Sequence, residues 1–156
     1  MEGLTHRTHW HLAKRRENEP GPYDIIEWDG NLSLNEGLNA IAALICGDGG
    51  TPFNNANTYI GIGDSTAVTA AEQVGLQAAT NKYWQVMDSS YPTYGTSQQI
   101  VFKVTVAAGN ASYAWNEYTV GNSNDDSGDN ILRNVEAKGT KAVDEEWTLT
   151  AVYVLS

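Results

Sequence analysis

Gln99-Ile-Val-Phe-Lys-Val-Thr-Val106, QIVFKVTV, decides the fold class. Ile100, Phe102, Val104 and Val106 fall on one side of a period-two pattern, with Lys103 and Thr105 on the other. That alternation is the mark of a strand with one buried face. The same rhythm recurs to either side. Trp147-Thr-Leu-Thr-Ala-Val-Tyr-Val154 closes the chain on β-branched and aromatic residues. Thr58–Gly63, Lys82–Met87, Ala111–Val120 and Asn130–Glu136 read as strands, and Tyr23–Trp28 as a shorter one. Polar Gly/Asn/Asp/Ser turns separate them and no fixed-period repeat is present. The spacing predicts a mainly β protein, an antiparallel β-sandwich or barrel.

One helix interrupts the strands. Ser33 followed by Glu36 matches a capping box, and Leu34, Leu38, Ile41, Ala42 and Ile45 recur with the helical period. Gly47 supplies a left-handed stop. The helix is expected over about 33–46, with Cys46 buried on its apolar face near Leu44 and Ile45. As the single cysteine of the chain, Cys46 has no partner for an internal disulfide.

The net charge of −10 is unevenly spread. Residues 1–16 hold Arg7, Lys14, Arg15 and Arg16 against Glu2, which is +3 and leaves −13 for the other 140 residues. An acidic body disfavours a nucleic-acid grip. No apolar run is long enough to span a membrane, and the N-terminus lacks the apolar core of a secretion signal. Residues 1–22 end in Glu19-Pro-Gly-Pro22, which suits neither a helix nor a central strand. The expectation is an extended arm over 1–22 and a single β-rich domain over 23–156. In the arm, Trp10 is the one large anchor, flanked by Arg7, Lys14, Arg15 and Arg16. These five are the candidate partner-binding residues.

Asn54-Asn-Ala-Asn-Thr-Tyr-Ile-Gly-Ile-Gly-Asp-Ser-Thr66 contains a Gly-x-Gly after a strand-like run. A dinucleotide fingerprint needs a third glycine where Thr66 stands, and a phosphate loop needs a Gly-Lys-Ser/Thr ending that is absent. The glycines instead suit close approach of another strand or subunit, with Asn54, Asn55 and Asn57 bonding nearby backbone.

Chemistry-bearing clusters are few. His6, His9 and His11 are close enough in sequence to suggest zinc or nickel, but a structural site wants a fourth ligand. Asn122–Asp129 resembles a calcium loop, yet Ser127 and Arg133 occupy its glycine and glutamate positions, so a solvated turn is the better reading. Every histidine lies within the first 11 residues, away from any Ser or Cys pocket. Asp144-Glu145-Glu146 reads as a solvated run. Glu117, between Trp115 and Tyr118, reads as an outward or salt-bridged strand carboxylate. No enzymatic activity, metal or cofactor is expected.

Asn31-Leu-Ser-Leu-Asn-Glu-Gly37, Pro52–Asp64, Ala114-Trp-Asn-Glu117, Leu132-Arg-Asn134, Gly139-Thr-Lys141 and Trp147-Thr-Leu-Thr150 come in an order that resembles small virion proteins of tailed bacteriophages. The resemblance covers roughly residues 23–156. It implies a structural protein, most nearly a capsid decoration (cement) protein on the outer head surface, which binds the major capsid protein and stabilises the head. It also implies trimeric grouping with neighbouring copies. A tail- or fibre-associated virion protein that acts as adaptor or host-surface binder is the alternative. Five Trp and eight Tyr exceed what a core of this size easily hides, which also favours an oligomer.

Overall fold

The structure is a computed structural model that describes residues 6–95 and 97–156. It is an antiparallel sandwich of two five-stranded sheets with one short helix. In chain order the elements are β1 His6–Arg16, β2 Asp24–Asp29, β3 Leu32–Ser33, α1 Asn35–Cys46, β4 Tyr59–Gly63 and β5 Lys82–Val86. They continue with β6 Thr93–Tyr94, β7 Gln99–Val106, β8 Glu117–Gly121, β9 Asn130–Val135 and β10 Glu145–Leu155. Sheet A has the order β2-β1-β10-β7-β6 and sheet B the order β3-β9-β8-β4-β5.

The core lies between the sheets. Leu12, Leu149, Ala151, Phe102, Val104 and Val106 face Ile60, Ile62, Val120 and Leu132, all buried. An aromatic chain runs through it. Trp28 stacks on Trp10 at 5.8 Å, both touch Tyr118, and Tyr118 leads through Trp115 to Trp147, whose rings meet edge-on at 4.8 Å. Lys138 lies over Trp28 at 4.2 Å and Lys14 over Trp147 at 4.5 Å, so a cation caps each end. Four of the five tryptophans are thus inside one subunit. The surplus of aromatics does not require an oligomer to hide it.

The arm is the main correction. Residues 6–16 form an inner strand, paired along its length with β10 and on its other side with β2. Residues 1–5 lie outside the described residues. Thr8, Trp10, Leu12 and Lys14 point into the core while Arg7, His9, His11 and Arg15 point out. The outward charges mask a period of two, and charge is what made the segment resemble a tether. Pro20 and Pro22 stand in the turn that returns the chain to β2, not at a domain boundary.

The helix starts later than expected and buries a different face. Ser33 belongs to β3, Leu34 is the N-cap without a side-chain cap bond, and Gly47 closes the helix at φ 69°. Glu36 does not complete a capping box. Its carboxylate accepts from Asn130 N–H at 3.0 Å, Asn130 Nδ2 at 2.8 Å and Gly75 N–H at 3.3 Å. Gly37 sets the rotation. A Cβ there would sit 2.4 Å from both Asn130 O and Ile131 Cα, so only glycine lets α1 press on the β9 backbone. Leu34 and Gly37 are buried, while Leu38 is exposed and Ile45 is 80 % exposed. Cys46 is exposed as well, against expectation.

Two further points follow from local geometry. The strand expected over 111–120 is regular only from Glu117. Before it the chain turns at Ala111 (φ 48°) and Trp115 Nε1 donates back to Ala111 O at 3.0 Å. In β4, a Cβ on Gly61 would meet the Trp84 ring at 2.8 Å, and one on Gly63 would meet the Glu117 carboxylate at 2.3 Å. What passes close to these glycines is a side chain from a neighbouring strand of the same sheet. Asn54 behaves as read: its Oδ1 accepts from the N–H groups of Ala56 and Asn57, both at 3.1 Å. Among the described residues no helix is long and apolar enough to cross a membrane.

Candidate functional site: the open face of sheet A

The five residues expected to bind a partner do not converge. Trp10 is fully buried and its Nε1 donates to Gly30 O at 2.8 Å. Lys14 is buried and donates to Lys138 O at 2.6 Å, with Asp24 at 3.7 Å. Arg15 pairs with Glu146 and donates to Glu19 O. Arg16 pairs with Glu19 and covers the Tyr23 ring at 4.8 Å. Arg7, like Arg16, is exposed. A strand sends neighbouring side chains to opposite faces, so a run that looks continuous in sequence is split by the pleat.

Arg7 and Arg15 nonetheless share a surface with residues far away in sequence. The β1–β10 and β10–β7 registers set Arg7 beside Val154 and Gln99, His9 beside Val152 and Val101, and His11 beside Thr150 and Lys103. Asp29 and Glu27 of β2 extend the second and third rows. These side chains are exposed or half-buried. A shallow groove of about 320 Å³ crosses the face, lined by Arg7, His9, Asp29, Gln99, Val152 and Val154. Arg7, Arg15 and Lys103 stand against Glu27, Asp29, Glu146 and Asp88, whose carboxylate holds Thr105, so the face carries −1 while the chain as a whole carries −10.

The histidines are split by the same pleat. His6 points inward and stacks on Tyr153 with a 2.8 Å bond between Nδ1 and the phenol oxygen. His9 and His11 point outward, and His9 Nδ1 lies 2.8 Å from Asp29. Among the described residues no group of three or more His, Cys, Asp or Glu is placed to hold a metal ion.

The outer face of sheet B is closed instead. Residues 64–81 lie across it as a strap held by polar bonds. Glu117 Oε1 accepts from Ala78 N–H at 2.7 Å, and Oε2 accepts from Gln77 N–H at 2.9 Å and from Arg133 Nε at 2.8 Å. Arg133 Nη1 donates to Ala67 O and Gln73 Oε1. Glu117 is thus the salt-bridged carboxylate of the sequence reading, but it faces the strap rather than solvent. The acidic turn 122–129 joins this latch: Asp126 pairs with Lys82 and accepts from Leu76 N–H at 2.9 Å. Asp125 is occupied by Ser123 and Ser127, whose hydrogen bonds hold its carboxyl below the usual range. The segment is a turn whose carboxylates already have partners.

Compared with known protein families, curated proteins and solved structures, the chain matches none.

Sequence reasoning missed Trp84. Its ring rests against Gly61 and Gly121 on the strap side of sheet B, half-buried. The other four indole N–H groups donate within the chain, whereas Trp84 Nε1 has no hydrogen-bond partner among the described residues. The signal lay in two glycines on adjacent strands, which leave a seat only a large ring fills.

Proposed function

We propose that this chain is a structural protein of a tailed-phage virion that decorates the outer head, with the open face of sheet A docked on the major capsid protein and copies grouped in threes. The observation that carries the docking reading is the contrast between the two sheets. Sheet B has the strap bonded across its outer face. Sheet A offers a broad half-exposed face, rich in Val and Thr and close to neutral in charge, on an otherwise acidic protein. A capsid surface bearing carboxylates meets less repulsion there than elsewhere on the molecule. The order of motifs shared with small virion proteins supplies the biological setting.

The alternative, a tail- or fibre-associated protein, is favoured by Tyr94, which is 90 % exposed on the β6–β7 hairpin. Quantitative mass spectrometry of purified particles separates the two. Hundreds of copies place the protein on the head, and a handful place it on the tail. Docking is tested with Val152→Glu, which adds charge at the centre of the face. Binding to undecorated heads should fall roughly tenfold, about 1.4 kcal/mol, with unchanged melting. Unaltered binding would remove sheet A from the proposal.

A further inference from the structure

We propose that the free edge of β5 pairs with β5 of a second copy, antiparallel about a two-fold axis through Trp84. The proposal is independent of the capsid reading and uses the sheet that the open face does not. The β4–β5 register and the bond from Met87 N–H to Thr58 O at 3.2 Å set the ladder alternation. In that alternation Tyr83 and Gln85 turn their main-chain groups to β4, and Lys82, Trp84 and Val86 turn theirs away. Lys82 N–H confirms the direction by donating to Thr80 O at 3.0 Å. Beyond it, the N–H groups of Trp84 and Val86 meet no backbone carbonyl among the described residues, and the Val86 carbonyl has only Gln85 Nε2, at 3.4 Å. Only an extended backbone offers donors and acceptors at that spacing.

Other edges of the sandwich are protected. β2 carries Asp24, Glu27 and Asp29, and β3 and β6 have two residues each. β5 is five residues long, KYWQV, with no carboxylate, and its one charge is engaged by Asp126. Folded proteins ordinarily block such an edge with charge, proline or a covering element. β5 itself carries neither carboxylate nor proline.

The sequence of β5 fits itself. With the axis at Trp84, Trp84 lies opposite its own copy and Lys82 lies opposite Val86, so no like charges face each other. Each Trp84 ring leans back over Gly61 and Gly121 of its own sheet, which leaves the edge backbone clear of it. For two chains of charge −10, an edge with no carboxylate of its own, and with Asp126 already paired to Lys82, opposes approach less than the acidic edge of β2. The pairing joins the two five-stranded B sheets into one continuous sheet.

Position 86 gives a test whose sign depends on this register. Val86→Lys opposes Lys82 of the other copy twice per dimer, whereas Val86→Glu faces it with the opposite charge. Sedimentation equilibrium of the full chain over a range of concentrations should show a monomer–dimer equilibrium for the native protein. Val86→Lys should weaken it roughly tenfold and Val86→Glu should not. Circular dichroism and melting of each variant establish that it is folded. Val86→Pro, which deletes an outward N–H and no bond to β4, supplies a further variant, expected to weaken the dimer if the Lys or Glu variant is unstable. A native chain that stays monomeric throughout, or folded Lys and Glu variants that associate equally, overturns the proposal.

Discussion

The Arg133 guanidinium and the Glu117 carboxylate meet at 2.7 Å with neither side chain exposed to solvent. The pair sits on neighbouring strands β8 and β9, and both ends hold the strap. Removing one partner leaves a buried charge uncompensated. Glu117→Gln and Arg133→Met should each cost about 3–5 kcal/mol, seen as a lower urea midpoint. A loss below about 1 kcal/mol in either would mean that the strap lifts readily and lets water solvate the remaining charge.

Gly37 and Gly21 make a matched comparison. Alanine in a helix is favoured over glycine by about 1 kcal/mol, but at Gly37 the added carbon collides with β9 backbone that cannot swing aside. Gly37→Ala should therefore destabilise by about 3 kcal/mol. At Gly21 nothing lies within 4 Å of the added carbon, and Gly21→Ala should change stability by less than about 0.5 kcal/mol. Thermal melts of the two variants give the ranking, and equal melting points would contradict it.

Trp10 is a core residue, so its loss acts on folding. Trp10→Ala should cost about 3–5 kcal/mol. Deleting residues 1–22 removes the strand between β2 and β10 and should leave a chain that does not melt cooperatively. A truncated protein with the native melting curve would overturn the assignment of β1 to the sheet.

Four phenols with raised values make stability depend on alkaline pH. Burial, then the hydrogen bond to Glu145, pushes Tyr23 up to about 12, and burial raises Tyr113, Tyr118 and Tyr153 as well. A phenol whose folded value is raised holds its proton more tightly when folded. Its contribution is complete below the ordinary value of 10.0 and is lost as pH climbs through the raised value. Urea midpoints should fall above pH 10, and the native phenolate absorbance should lag behind that of unfolded chain. Superimposable native and unfolded titrations would refute this.

Glu145 supplies the acid limb. Burial acts to raise its carboxyl, but bonds donated by Tyr23, Ala142 and Trp147, together with Arg16, outweigh it and hold the group below its usual 4.5. That contribution is present above 4.5 and lost as pH falls through the lowered value. Tyr23→Phe removes a 2.6 Å donor and should flatten the decline in stability on acidification. An identical acid slope would show that the bond does not hold the carboxylate.

Local order was legible where one physical cause dominated. Gln99–Val106 alternates because one face is core, and Gly47 ends α1 because a left-handed residue is needed there. The reading failed where two causes competed. Charge on Arg7, Arg15 and Arg16 outweighed the inward series Thr8, Trp10 and Leu12, and the Ser33–Glu36 capping pattern outweighed the contact at Gly37. In the candidate site, Arg7 and Arg15 were named from sequence. Val152, Val101 and Lys103 were not, because only strand pairing brings them alongside.

By itself the sequence determined a mainly β chain with one helix near 33–46 and an acidic surface, since strand rhythm, helix stops and net charge are properties of neighbouring residues. Only the tertiary structure decided that the first strand lies beside the last, that Trp10 joins Trp28 and Tyr118, and that Glu117 faces Arg133. It also decided which sheet keeps an open face. These are pairings between residues far apart in the chain, and the free energy that selects them comes from burial and hydrogen bonding across the sandwich, which no local window contains.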